Sequence, residues 1–137
     1  MSTRIRAVNE LEQSIAHWDR NSKAKHPDEY TIGASHCALC SVFNTGGPDA
    51  CRGCPVMKAT GQSHCKGTPY RYAVNRLTRW YSLVDKAARG EHVSASSLDR
   101  AAGAARSAAR VERNFLKSLR ERADDRSQVS HNIGEAR

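Results

Sequence analysis

The amino-acid sequence predicts a mainly α-helical fold: three helices, one irregular segment between the first two, and few or no strands. Two observations carry this. Apolar residues recur at the helical period over three separate stretches, while all five cysteines of the 137-residue chain fall between positions 37 and 65, in a segment with no period. The aromatic fraction is 6%, so the helices enclose a thin core. Small domains with thin cores call for a staple. One domain over 1–123 is expected, followed by a mobile tail over 124–137.

The first helix spans about 4–25. Val8, Leu11, Ile15 and Trp18 form its apolar face with Ile5 at the flank, and Glu12, Asp19, Arg20 and Lys23 lie opposite. Pro27 and Gly33 then interrupt the period. The second helix, about 69–89, opens with Thr68 as N-cap and Pro69 at the first helical position. Its face is Tyr70, Ala73, Val74, Leu77, Tyr81, Val84 and Ala88, and Gly90 is its stop. The third helix, about 97–123, takes Ser96 or Ser97 as its cap. It carries a stripe of Leu98, Ala102, Ala105, Ala109, Leu116 and Leu119, with Phe115 beside it. An unpaired alanine edge on that helix suits a homodimer.

The irregular segment 34–68 is rich in Cys, Gly, Pro, Ser and Thr, and composition alone does not order it. Gly46-Gly47-Pro48-Asp49 is a turn signal, and Gly53 permits a tight turn inside Cys51–Cys54. The cysteines read Cys37-x2-Cys40-x10-Cys51-x2-Cys54-x10-Cys65. Two residues between cysteines let both thiolates of a pair face one ion, and two pairs complete a tetrahedron. Their number is odd, and the opening MSTRIRAVNELEQ lacks an apolar signal core, so a cytoplasmic, reducing compartment is expected and metal ligation reads ahead of disulfides. Zinc, one ion on Cys37, Cys40, Cys51 and Cys54, is the leading assignment. Cys65 is an alternative ligand, His36 and His64 read as hydrogen-bonding neighbours of the sulfurs ahead of ligands, and an iron–sulfur cluster is the minor alternative, prompted by Cys54-Pro55.

A site closed by four thiolates has no position for substrate, and the chain carries no His-x-Glu, HExxH or phosphate-cradling loop with its lysine. A non-catalytic protein is therefore expected. No apolar run reaches the length of a membrane span.

The run His36-Cys37-Ala38-Leu39-Cys40, then Cys51-Arg52-Gly53-Cys54-Pro55-Val56, Thr60-Gly61, Cys65 and Gly67-Thr68-Pro69-Tyr70 resembles short uncharacterised cysteine-rich proteins of bacteriophage and prophage genomes. The segment Ser14-Ile15-Ala16-His17-Trp18 fits what precedes the motif there, so the likeness covers about residues 8–75. It implies a small phage-derived protein acting in the bacterial cytoplasm, with no activity to carry over. The fifth cysteine belongs to the same pattern.

The formal net charge is +8, and residues 69–123 carry +7 of it. On the third helix Arg106, Arg110, Arg113, Lys117 and Arg120 are spaced four, three, four and three, and at 100° per residue they fall within about 80° of one another. Glu112 and Glu121 soften this ridge through helix ion pairs, while Arg71, Arg76 and Arg79 add charge on the second helix. Such a ridge tracks nucleic-acid phosphates in a salt-sensitive way. The alternative is an inhibitor of an acidic host protein, with arginines as interface anchors. Trp80 next to Arg79 is either a stacking residue or the flank of the core.

Overall fold

The structure is a computed structural model that describes residues 3–33, 37–43, 51–62, 65 and 67–135, without the side chains of 3–7, 41–42 and 122–135. Among the described residues the chain is mainly helical and has no strand. The helices are α1 (Thr3–Asn21), α2 (Ala38–Phe43), α3 (Pro55–Thr60), α4 (Tyr70–Ala88) and α5 (Ala95–Glu135), with a 3-10 turn at Pro27–Glu29. Three helices were expected. The two extra ones are six residues each, too short for a period to show in the sequence.

α5 is the spine, packed against both α1 and α4. Its inner stripe is Ala101, Ala102, Ala105, Ala108, Ala109, Leu116 and Leu119, all buried. Short side chains there let both partner helices approach closely, so the alanine edge expected to serve a dimer is covered within the chain. Glu112 sits in the same stripe and is 2% exposed, a carboxylate at a core position rather than a member of surface ion pairs. The cap of α5 is Ser94, whose hydroxyl accepts the Ser97 amide at 3.1 Å, two to three residues before the expected Ser96 or Ser97. The helix also runs on to Glu135, through the stretch expected to lose regular structure.

α1 buries Leu11, Ile15 and Trp18 as its period requires, and with them Ser14, His17 and Asn21. The helix ends at Asn21 rather than near Lys25. The Asn21 side-chain amide donates to the Thr31 carbonyl at 2.9 Å and its carbonyl accepts the Thr31 amide at 3.1 Å, so one side chain fastens the returning segment. Tyr30, on that segment, reaches the core and donates to the Ala105 carbonyl at 3.0 Å. On α4 the buried face is Ala73, Leu77 and Trp80. Trp80 is therefore core. Tyr81, expected in the apolar face, is 43% exposed and gives its hydroxyl to Asp28.

The cysteine segment is not devoid of apolar anchors. Leu39 and Phe43 from α2 and Val56 from α3 all bury into the common core. The start of α4 is tied to this segment by Thr68, whose hydroxyl donates to the Cys65 carbonyl at 2.7 Å and accepts the Tyr70 amide at 3.2 Å.

Candidate metal centre

All five cysteines border one cavity of about 20 Å³, closed by Leu39, Phe43, Val56 and Met57. Each is positioned by a short, definite piece of backbone. Cys37 precedes the first turn of α2, and the amides of Cys40 and Leu39 favour its ionised form. Cys54 precedes α3 in the same way, with the Val56 and Met57 amides nearby but no full capping hydrogen bond. The pair Cys51–Cys54 is a tight turn closed by the Cys54 amide on the Cys51 carbonyl at 3.0 Å, and the Cys51 amide reaches the Phe43 carbonyl at 2.7 Å. Gly53 in that turn has φ +85°, the left-handed region its missing Cβ permits. Cys51 (φ 69°) and Cys65 (φ 59°) hold the same region without that freedom, a strained conformation that persists where the surroundings fix it.

The electrostatics of the cluster follow from crowding. A hydrogen bond from the Cys40 thiol, helped by the amides and by Ser14 (Oγ to Sγ 3.9 Å), lowers Cys37 to about 6, whereas Cys40, as the donor of that bond, is raised. Burial raises Cys54, and burial with the neighbouring Cys37 pushes Cys65 up to about 12. Several thiols in one small cavity cannot ionise together unless a cation joins them, and zinc or a comparable thiophilic ion is the chemistry that does so. The donor set therefore suits zinc. Among the described residues, however, no three His, Cys, Asp or Glu side chains are gathered into a group that could hold an ion. Cys65 lies in the same cluster as the four expected ligands, so position does not set it apart. His36 and His64 lie outside the described residues, as does the turn 46–49.

A second, larger cavity of about 160 Å³ shares Cys37, Cys40 and Cys65 with the first and extends between α1 and α5. Ser14, His17 and Trp18 line it from α1, Tyr70 from α4, and Glu112 and Leu116 from α5. The Glu112 Oε2 is buried there without a hydrogen-bond partner. Burial, with the Cys37 sulfur as a second cause, pushes its carboxyl up to about 7. Nothing in the sequence pointed to this residue except its place in the α5 stripe.

The basic ridge of α5 is divided. Arg106 donates to the Ala24 carbonyl at 3.0 Å and lies over the Trp80 ring at 5.9 Å. Arg113 pairs with Asp19 at 2.7 Å, and Arg120 with Glu12 at 3.0 Å. These three fasten α5 to α1 and to the segment that follows it. Arg110 is exposed and reaches only Ser107, and Lys117 is half-buried with no ion pair among the described residues. On α4, Arg71 and Arg79 are exposed and unpaired among the described residues, while Arg76 lies 4.6 Å over the exposed Tyr72 ring.

Among known proteins, no family model, no curated protein and no solved structure matches the chain. Among the described residues no helix is long and apolar enough to cross a membrane.

Proposed function

We propose that this chain is a non-catalytic, zinc-stapled helical protein of phage origin that binds nucleic acid through the outer face of α4, in the host cytoplasm. The observation that carries the reading is the free basic face of that helix. At 100° per residue Arg71, Arg79 and Lys86 fall within about 80° of one another, with Tyr72 about 20° beyond Arg79. All four are exposed, and the buried Ala73, Leu77 and Trp80 lie on the other side. Cations with no ion pair among the described residues, beside an exposed aromatic ring, suit phosphates and a stacked base. The α5 ridge contributes less to the reading, because Arg106, Arg113 and Arg120 hold partners of their own.

The test is binding of a short labelled duplex and a single strand across a range of salt. Affinity should fall as salt rises, and Arg71→Gln with Arg79→Gln should weaken binding to all sequences alike. No binding even at low salt sinks the reading. A second reading, inhibition of an acidic host protein by direct contact, is favoured by the exposed Tyr72, Tyr81 and Val111, since aromatic side chains flanked by arginine make good interface anchors. A partner captured from nuclease-treated lysate and lost on changing one of those residues supports it.

A further inference from the structure

The 160 Å³ cavity between α1 and α5 borders the metal centre through Cys37, Cys40 and Cys65, the rest of its wall has no part in either reading above, and its make-up is unusual for a packing defect. Voids left by imperfect packing are apolar and stay dry. This one contains a glutamate on the stripe that elsewhere supplies only alanine and leucine to the core, with Oε2 buried and unpartnered. A buried carboxylate is retained where something pairs with it. Elsewhere in the wall His17 Nε2 is bonded to Thr31 Oγ1 at 2.6 Å, and Ser14 Oγ faces the Cys37 sulfur. Trp18 and Tyr70, set edge to face with centroids 6.0 Å apart, supply aromatic surface.

We propose that this cavity is a binding site for a small organic cation, a primary ammonium or guanidinium group on a short apolar stem, with Glu112 as its counter-ion. The chemistry of the wall selects that class. An anion meets Glu112 as a like charge, and a neutral apolar molecule leaves Oε2 unsatisfied. A cationic head donates N–H groups to the carboxylate and rests against aromatic rings, which attract cations through their faces. The size fits as well, because a cavity near 150 Å³ accommodates one benzene-sized molecule. Gly33 and Tyr70, joined by the Gly33 amide on the tyrosine hydroxyl at 3.2 Å, are half-buried and form the outer edge.

The probe is isobutylammonium, compared with isobutanol as its neutral counterpart, followed by the shift of the Trp18 indole signal in NMR spectra of the full chain. Isobutylammonium should bind saturably, with a dissociation constant of about 1 mM or tighter, and at least about tenfold better than the alcohol. Glu112→Gln should remove that preference while zinc per chain stays as in the unaltered protein. Equal binding of amine and alcohol, or no saturable shift with either, overturns the proposal. So does a preference that survives Glu112→Gln, and so does loss of metal from that variant, which makes the carboxylate a metal ligand. The comparison of amine with alcohol needs no variant, so a misfolded Glu112→Gln protein leaves it decisive. Absence of zinc from the unaltered protein, with the amine preference intact, counts against the metal assignment alone.

Discussion

Arg113 and Asp19, 94 residues apart in sequence, form an ion pair at 2.7 Å that joins α5 to α1. The guanidinium side chain is 20% exposed and the carboxylate 36%, so the pair sits at the edge of the helix interface rather than free in solvent. Lys23 and Arg113 together hold Asp19 below its usual range. The contribution of this pair is therefore present above the ordinary aspartate range and is lost as pH falls through the lowered value. Arg113→Gln should lower the denaturation midpoint, and Arg110→Gln, whose residue reaches only Ser107, should leave it unchanged. The reverse order would show that the ridge does not fasten the helices.

The same division predicts a split in nucleic-acid binding. Removing Arg71 and Arg79 together should reduce the salt slope by about two, roughly one for each lost phosphate contact. Arg120→Gln, which breaks a contact to Glu12, should leave the slope as it was. Salt titrations of the three proteins decide, and an unchanged slope in the α4 variant points away from that face.

Metal content tests the cysteine cluster. Protein purified without added metal should carry about one zinc per chain, and Cys54→Ser should lose it. Chelation should melt the cysteine segment, because ligand and fold form together. Cys65→Ser is expected to retain the ion. If it loses the ion while Cys40→Ser keeps it, the ligand set includes Cys65 in place of Cys40.

Glu112 gives a pH prediction with a definite sign. Its carboxyl rises from 4.5 to about 7 on folding, so the native state binds the proton more tightly than the unfolded chain. Stability is then unaffected by this group at low pH and falls as pH climbs through that window, by on the order of 3 kcal/mol by neutral to alkaline pH. Denaturation of the unaltered protein and of Glu112→Gln, compared at pH 5 and pH 8, should show Glu112→Gln gaining relative stability at the higher pH. A constant difference between the two would mean that Glu112 is paired in solution.

Ala108 is fully buried where the helices approach. Ala108→Leu should force them apart and destabilise the fold by about 1–3 kcal/mol. A neutral result by chemical denaturation would mean that the interface is looser than the structure has it.

Period located the three long helices, because each carries a sustained apolar face, while the expected caps missed the ends of α4 and α5 by one to three residues. The position of Trp18, Leu77 and Leu116 in the core follows directly from that face. The short helices α2 and α3 were hidden because six residues cannot display a period, and Leu39, Phe43 and Val56 look like scattered apolar residues in a polar stretch. The pairing of Arg113 with Asp19 and of Arg120 with Glu12 was hidden for another reason. A helix projection shows that arginines share a side, but not which distant helix lies against it. Glu112 is a different case: three residues after Ala109 and four before Leu116, its spacing puts it in the apolar stripe, and only its charge suggested the ridge side. The cysteine spacing predicts a metal site, and the structure brings the five cysteines to the border of one cavity without gathering any three of them into a group that could hold an ion among the described residues.

The placement of α5 as the shared partner of α1 and α4 also has a consequence for the order of events at the ribosome. α1 is made first, yet its apolar face and its acidic residues wait for a helix that begins at Ala95. At about 5–20 residues per second, the 94 residues between Asp19 and Arg113 take roughly 5–20 seconds to emerge. During that interval Leu11, Ile15 and Trp18 have the cysteine segment to lean on, together with Tyr30 and Tyr70, which meet the Trp18 ring edge to face. Whatever gathers those sulfurs early would also shelter the first helix from aggregation while its permanent neighbour is still being translated.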